Sequence, residues 1–418
     1  MSSNEPVTYD KCLDSTKNLM QEGYMFIKNR MDKYETNVFE TRLLGKKTIC
    51  MSGEEATKLF YDPDLFKRNG AVPKRIQKTL FGVNAIQTMD GEEHNHRKHL
   101  FISMMTPDNE MQLSKIIKKN WETCIDTWVN AERVILFNEA KEVLCRSACQ
   151  WTRVPIEEAD VKNRADDFSS MIDAFGAVGP RHWKGRIARD RTEEWLIKLI
   201  KDVRSGKQNS EEGTILYSIA FYKDLDGEMF SNEIAAIELI NVLRPIVAIS
   251  TFITFSALAL HHNSECKDRL ISGNSNYFDM FTQEVRRYYP FAPMLGALVR
   301  KNFNWNQCEF KEGMTVLLDI YGTNHDSKIW DKPFYFIPER FKDKKHNLYN
   351  FIPQGGGDSS MGHRCPGEGI TVEIMKASLD FLVNKIEYTV PNQDLSYDLL
   401  KMPTLPESGF LINNINPK

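Results

Sequence analysis

Apolar positions in this chain recur mostly at helical spacing, with two short interruptions of strand-like alternation. Residues 8–30 show one apolar face and predict an amphipathic opening helix. Long helical stretches follow within 110–150 and 156–205, and a further helix over 277–289 ends at Pro290. The clearest helix spans 231–262. Ser231 is placed to cap it, Glu233 suits the positive end of its dipole, and apolar residues surround it, as in a helix at the middle of a large fold. Pro245 has no N–H for the carbonyl of Asn241 and predicts a kink there. A last helix is predicted over 366–387. Ile370, Ile374, Ala377 and Phe381 make one apolar stripe, and Met375, Leu379, Leu382 and Ile386 a second. Alternation at 35–52, and at 295–320 around a turn at Lys311-Glu312-Gly313, predicts strands. No repeat, low-complexity tract or long linker breaks the chain. The expectation is a mainly α fold, one helical domain over 1–418 with a small β portion.

Composition narrows the function classes. The chain has 418 residues, 41 % hydrophobic and 27 % charged, enough for a sizeable core. A net charge of -3 leaves no basic excess for nucleic acid. The start, MSSNEPVTYDKCLD, lacks the basic and apolar regions of a signal peptide. The most apolar segment, Ile234 to Leu260, contains Glu238, Asn241, Arg244 and Pro245, so it reads as a buried helix and not a lipid-facing span. A cytoplasmic protein with no membrane span is expected. Eight cysteines are scattered with no C-x-x-C pair, which favours free thiols.

Cys365 stands apart from the other seven. It lies in GGGDSSMGHRCPGEG, a Gly-rich loop feeding the last helix. Pro366 suits a first helical position, which puts Cys365 near the N-cap, where the dipole and free N–H groups favour a thiolate. His363 and Arg364 add positive potential. A phosphate-binding loop is the weaker reading, because the run lacks G-K-[ST].

Cys-Pro-Gly at 365–367 behind that loop resembles the heme-thiolate loop of the cytochrome P450 superfamily. Glu284-Val285-Arg286-Arg287 resembles that family's Glu-x-x-Arg pair, Pro338-Glu339-Arg340-Phe341 matches its PERF segment, and the 231–262 helix lies where its central helix would be. The four agree in order along essentially the whole chain. The resemblance implies heme b, with Cys365 as axial iron ligand, and a thiolate that favours O–O cleavage. It also implies that Glu284, Arg287 and Arg340 form a buried ion network steadying the loop. His94, Arg97 and Lys98 lie where the heme-propionate contacts of the family begin.

Two departures matter. The superfamily loop has Gly four and Arg two residues before the cysteine, whereas this chain has Met361 and His363. The acid–alcohol pair of the central helix, which feeds protons to dioxygen, is replaced by Arg244-Pro245. A buried unpaired guanidinium is costly, so Arg244 requires a partner, either an internal carboxylate or that of a substrate. Together NVLRPIVAIS, EVRRYYPF, IPQGGG and GHRCPGEGI resemble the bacterial fatty-acid peroxygenases. That branch implies hydrogen peroxide as oxidant, no redox partner, and a long-chain fatty acid whose carboxylate is anchored by Arg244 and serves as acid–base. Pro245 would shape the turn, and oxidation would fall on the α or β carbon. The branch also implies that the segment Leu80–Gln87 lines the pocket, with Gln87 at the position that is glutamine in hydroxylating members and histidine in an alkene-forming one. Phe81, Phe291 and Met294 are candidate alkyl-chain contacts. The competing functions are a terminal-alkene-forming decarboxylase, a reductase-dependent monooxygenase and a heme-thiolate sensor.

Overall fold

The computed structural model describes residues 9, 10, 12–272, 275–343 and 346–418; of the opening helix expected over 8–30, positions 8 and 11 lie outside them. Helices dominate. The opening segment forms Thr16–Glu22 and Phe26–Tyr34, joined by a tight turn at Gly23–Met25. The long stretches resolve into Pro107–Glu122, Leu136–Thr152, Glu158–Asp173 and Pro180–Arg204. The helix before Pro290 is Ser275–Tyr288. These helices pack around the central one, with Leu239, Ile240, Leu243, Val247, Phe252 and Phe255 all fully enclosed.

The β portion is small. Val38–Leu43 and Lys46–Met51 form an antiparallel hairpin. Lys46–Met51 pairs in parallel with Thr315–Asp319, which pairs antiparallel with Met294–Val299, and Phe66–Lys67 closes the sheet's edge. A three-stranded sheet joins Val134–Ile135, Leu411–Pro417 and Ile386–Thr389, and Phe303–Trp305 pairs with Cys308–Phe310. All eight cysteines are free thiols, and five of them are buried.

The central helix is capped as its sequence predicts: Ser231 Oγ accepts from the Ile234 N–H at 3.1 Å. Of its most apolar window, 94 % is buried, so it is an interior helix of the fold. Its break is displaced from the expected site. Pro245 lies inside a continuous Asn232–Ala248 helix, and the interruption falls at Ile249, before Ser250–His262. There the Ile249 N–H turns back to the Ile246 carbonyl, and Ser250 Oγ donates to the Val247 carbonyl at 2.7 Å. A serine hydroxyl that bonds the preceding turn competes with the backbone ladder and bends it.

The last helix also differs. It runs Glu368–Asp380 with Gly367 as N-cap, so Pro366 is outside it and Cys365 sits two residues before the cap. A wider turn, Phe381–Lys385, ends it, because Ile386–Thr389 is captured by the C-terminal strand. Both apolar stripes are buried as predicted.

Candidate active site

The cysteine loop is held from three sides. Gly355 has φ +95, open to glycine at little cost, and a Cβ there would meet the Tyr61 hydroxyl at 2.6 Å. Gln354 is the hub: its Oε1 accepts from Arg286 Nη2 at 2.8 Å, and its Nε2 faces Thr371 Oγ1 at 3.0 Å and Cys365 Sγ at 3.8 Å. Arg286 also bonds Glu368, and Arg364 Nε bonds Glu368 at 2.7 Å. From the opposite side Lys98 Nζ donates to the carbonyls of Gly362, 2.9 Å, and Arg364, 2.6 Å. Burial raises the Cys365 thiol above its ordinary range, opposed by a Gly367 N–H bonded to the sulfur. The free N–H expected to favour a thiolate is that of Gly367, the N-cap of the last helix, and burial opposes it. His363 contributes little positive charge, since burial lowers its pKa.

Glu284, Arg287 and Arg340 meet as expected. Arg287 grips both oxygens of Glu284 at 2.7 and 2.8 Å, Arg340 Nε reaches them at 3.1 and 3.2 Å, and the Ile337 N–H donates at 2.8 Å. Arg287 Nη1 also bonds the carbonyls of Asn324 and Pro333. The residue that touches the loop is Arg286, which the sequence reading passed over.

On the other wall, Glu238 of the central helix is fully buried. It accepts from the Ile86 N–H at 3.0 Å, Arg97 Nη1 at 3.1 Å and Asn241 Nδ2 at 3.0 Å. Asn241 Oδ1 in turn accepts from Arg244 Nη2 at 3.3 Å, the one hydrogen bond that Arg244 makes among the described residues. Its Nε is buried with no partner, and no described carboxylate forms an ion pair with it. Burial, helped by the like charge of Arg189, lowers its pKa to about 9, and the charge of Cys365 acts the other way. The internal-carboxylate reading of Arg244 therefore has no support, because the nearby Glu238 is already occupied by Arg97.

The Leu80–Gln87 segment closes over Arg244. A wide turn at Gln77–Phe81 is followed by Gly82 at φ +97, where a Cβ would strike Ile237 at 2.5 Å and Arg189 at 2.6 Å. Close backbone approach thus brings the Phe81 ring to 5.8 Å from the Arg244 guanidinium. Gln87 Oε1 is buried without a partner among the described residues. Phe291 stacks on Phe252 of the central helix, centroids 4.4 Å apart. Met294 is a correction. It packs against the cluster of Phe26, Ile27, Phe39 and Cys50, since strand alternation turns it to the sheet's outer layer.

The helix Gly91–Met104 carries His94, Arg97 and Lys98, all buried. Arg97 is spent on Glu238 and Asp224. His94 lies against His363, ring centroids 4.0 Å apart, and burial holds its pKa at about 3, so it is neutral. Arg68, missed in the sequence, is buried over the Phe60 ring at 4.2 Å with no carboxylate of the described residues in salt-bridge range, and the Tyr61 hydroxyl beside it is buried near the Gly356 backbone.

A cytochrome P450 family model matches residues 272–413. Cytochrome P450EX alpha (CYP152N1), solved with myristic acid, superposes with TM-score 0.96 at 40 % identity, over 99 % of this chain and 100 % of that one. The chain belongs to the cytochrome P450 family. P450SP alpha (CYP152B1), solved with (R)-ibuprophen, matches at TM-score 0.95 and 42 % identity, covering 97 % of this P450 and 99 % of that chain. A point variant of P450 OleT, solved with arachidonic acid, matches at 0.96 and 36 %, covering 99 % of each. These neighbours are the bacterial fatty-acid peroxygenase branch that the motifs indicated. More remote is the beta-amyrin 6-beta-monooxygenase of Solanum lycopersicum, 22 % identical over 90 % of this chain and 85 % of that protein.

P450s carry heme, and the residues present fit it. Cys365 Sγ is met by hydrogen-bond donors and lies in electrostatic reach of the central helix. Arg68 and the Tyr61 hydroxyl are buried polar groups lacking an anionic partner, the chemistry that two propionates would satisfy.

Proposed function

We propose that residues 1–418 act as one heme-thiolate domain that hydroxylates long-chain fatty acids at the α or β carbon with hydrogen peroxide, Arg244 holding the substrate carboxylate. The observation that carries this reading is a fully enclosed guanidinium with an orphaned Nε, a single long hydrogen bond and no acidic partner among the described residues. Bound heme, ligated by Cys365, supplies the activation of peroxide.

The chain's own residues do the rest. Asn241 fixes one edge of the Arg244 guanidinium, leaving Nε free to orient a carboxylate. Pro245 follows directly and withholds an N–H from that turn. Phe81, beside Arg244, and Phe291, stacked on Phe252 further along the central helix, are the alkyl-chain contacts. The carboxylate so held stands where the family's acid–alcohol pair would stand. It takes the peroxide proton and returns it to the oxygen that leaves as water, so that R–H and H2O2 give R–OH and H2O. Gln87 cannot titrate, so it holds the carbonyl end by hydrogen bonding and does not relay a proton. Propionate contacts fall to Arg68, Tyr61 and Lys98, with His94 as a neutral neighbour and Arg97 as the tie to the central helix.

The test is incubation of the holoenzyme with hydrogen peroxide and a long saturated fatty acid, without reductase, and mass spectrometry of the products. Hydroxy acids at the α or β carbon are expected from the wild type and not from Arg244→Ala. Terminal alkenes as the main product would overturn the role of Gln87. No product with intact heme, or full turnover by Arg244→Ala, would overturn the peroxygenase reading.

A further inference from the structure

Three surface segments far apart in sequence meet beside the turn that carries Phe81. Arg75 donates to the Ala177 carbonyl and Arg186 to the Lys78 carbonyl, both at 2.5 Å, while the Gly176 N–H donates to the Met402 carbonyl at 3.2 Å. Where they join, large apolar side chains stand in water. Trp183 is 64 % exposed, Ile187 one turn further along the same helix 56 %, Val178 55 % and Val83 43 %. An exposed tryptophan with aliphatic neighbours on adjoining loop tips is uncommon on a surface that faces water alone.

The same segments are basic. Residues 72–84 and 176–189 contain no Asp or Glu, in a chain whose overall net charge is -3. Arg181 and Arg186 are neutralised by Asp173 and Asp190. Lys74, Arg75, Lys78 and Lys184 are exposed, and none of them forms a salt bridge among the described residues. Apolar tips ringed by free cations fit an anionic bilayer: the tips enter the headgroup region and the cations meet phosphates. A second copy of this chain would bring like charge against like. The patch also leads inward, since Phe81, three residues past Lys78, carries the ring beside Arg244.

We propose that the face formed by residues 72–83 and 176–187 docks this P450 on anionic lipid bilayers, so that long-chain acids are taken up from the membrane surface. This purpose rests on the fatty-acid reading above; the docking itself does not.

The experiment is co-sedimentation of the holoenzyme with phosphatidylcholine vesicles, with and without phosphatidylglycerol, at low and high salt. Binding is expected only with phosphatidylglycerol, and weaker at high salt. Lys78→Glu/Lys184→Glu is expected to reduce partitioning by at least roughly 25-fold, each lost surface cation being worth about 5-fold. Brominated lipid is expected to quench Trp183, a signal that Trp183→Phe abolishes. Turnover of dilute, monomeric fatty acid is expected to be unchanged in these variants. No binding to phosphatidylglycerol vesicles, equal binding by the variants, or a change in sedimentation-velocity mass in place of a change in lipid binding would overturn the proposal. Variant-sensitive binding by an enzyme that oxidises no fatty acid would uphold the docking face and refute the substrate reading alone.

Discussion

Arg244→Met is expected to make the substrate-free protein more stable while removing its response to fatty acid. Methionine keeps much of the length and none of the charge. The guanidinium is buried, and burial brings its pKa from its ordinary value down to about 9. A cation with a depressed folded-state pKa costs stability at every pH below that value, neutral pH included. The charge penalty is on the order of 5 kcal/mol. One hydrogen bond at 3.3 Å offsets about 1 kcal/mol of it. Allowing for imperfect repacking, a net gain of about 1–4 kcal/mol is expected, as when other buried charges are replaced by apolar residues. Urea unfolding of the ferric protein, followed by heme absorbance and by tryptophan fluorescence, measures it. Fatty acid at roughly one hundred times its Kd should stabilise the wild type by about 2.7 kcal/mol and the variant not at all. A substrate-free Arg244→Met protein less stable than wild type by about 1 kcal/mol or more would refute the reasoning. It would mean that Arg244 already has an anionic partner.

Asn241→Ala removes the one protein hydrogen bond to Arg244, and should weaken fatty-acid binding about 5-fold in optical titrations, with an unchanged heme spectrum. Glu284→Ala strands Arg287 and Arg340 and should cost about 3–5 kcal/mol, read as a lower urea midpoint for heme release. Asp319 is buried, its Oδ2 has no partner, and burial raises its pKa to about 7. The folded state therefore holds a proton that the unfolded chain has lost, so stability falls as pH rises from about 4 to 7. Asp319→Asn should flatten that slope in thermal melts, with the largest gain above pH 7; an unchanged slope would exclude Asp319 as its source.

The sequence carried the site's main chemistry because that chemistry is local. Cys365 in its glycine-rich loop, the Glu284–Arg287 pair one helical turn apart, and a charge inside an otherwise apolar helix all appear within short windows. The groups that escaped notice act across the fold. Arg68 and Tyr61 come from the first hundred residues and approach a loop some three hundred residues later. Arg286 looked like a mere neighbour of Arg287 until Gln354 and Glu368 were brought against it. Met294 failed for a related reason: a strand residue's facing depends on which sheet it joins. The break at Ile249 was missed because a proline draws attention to itself, while a serine hydroxyl bonding back to the helix is visible only in three dimensions.

Arg97 and Lys98 are consecutive residues that reach in opposite directions. Arg97 clamps Glu238 of the central helix, while Lys98 clamps the Gly362 and Arg364 carbonyls just before the cysteine. One dipeptide thus acts as a calliper that ties the cysteine loop to the central helix, the two elements between which heme would be held. Attempts to refit this protein with a bulkier or puckered porphyrin are therefore expected to meet resistance from the 91–104 helix first. The productive place to loosen the frame is that single turn.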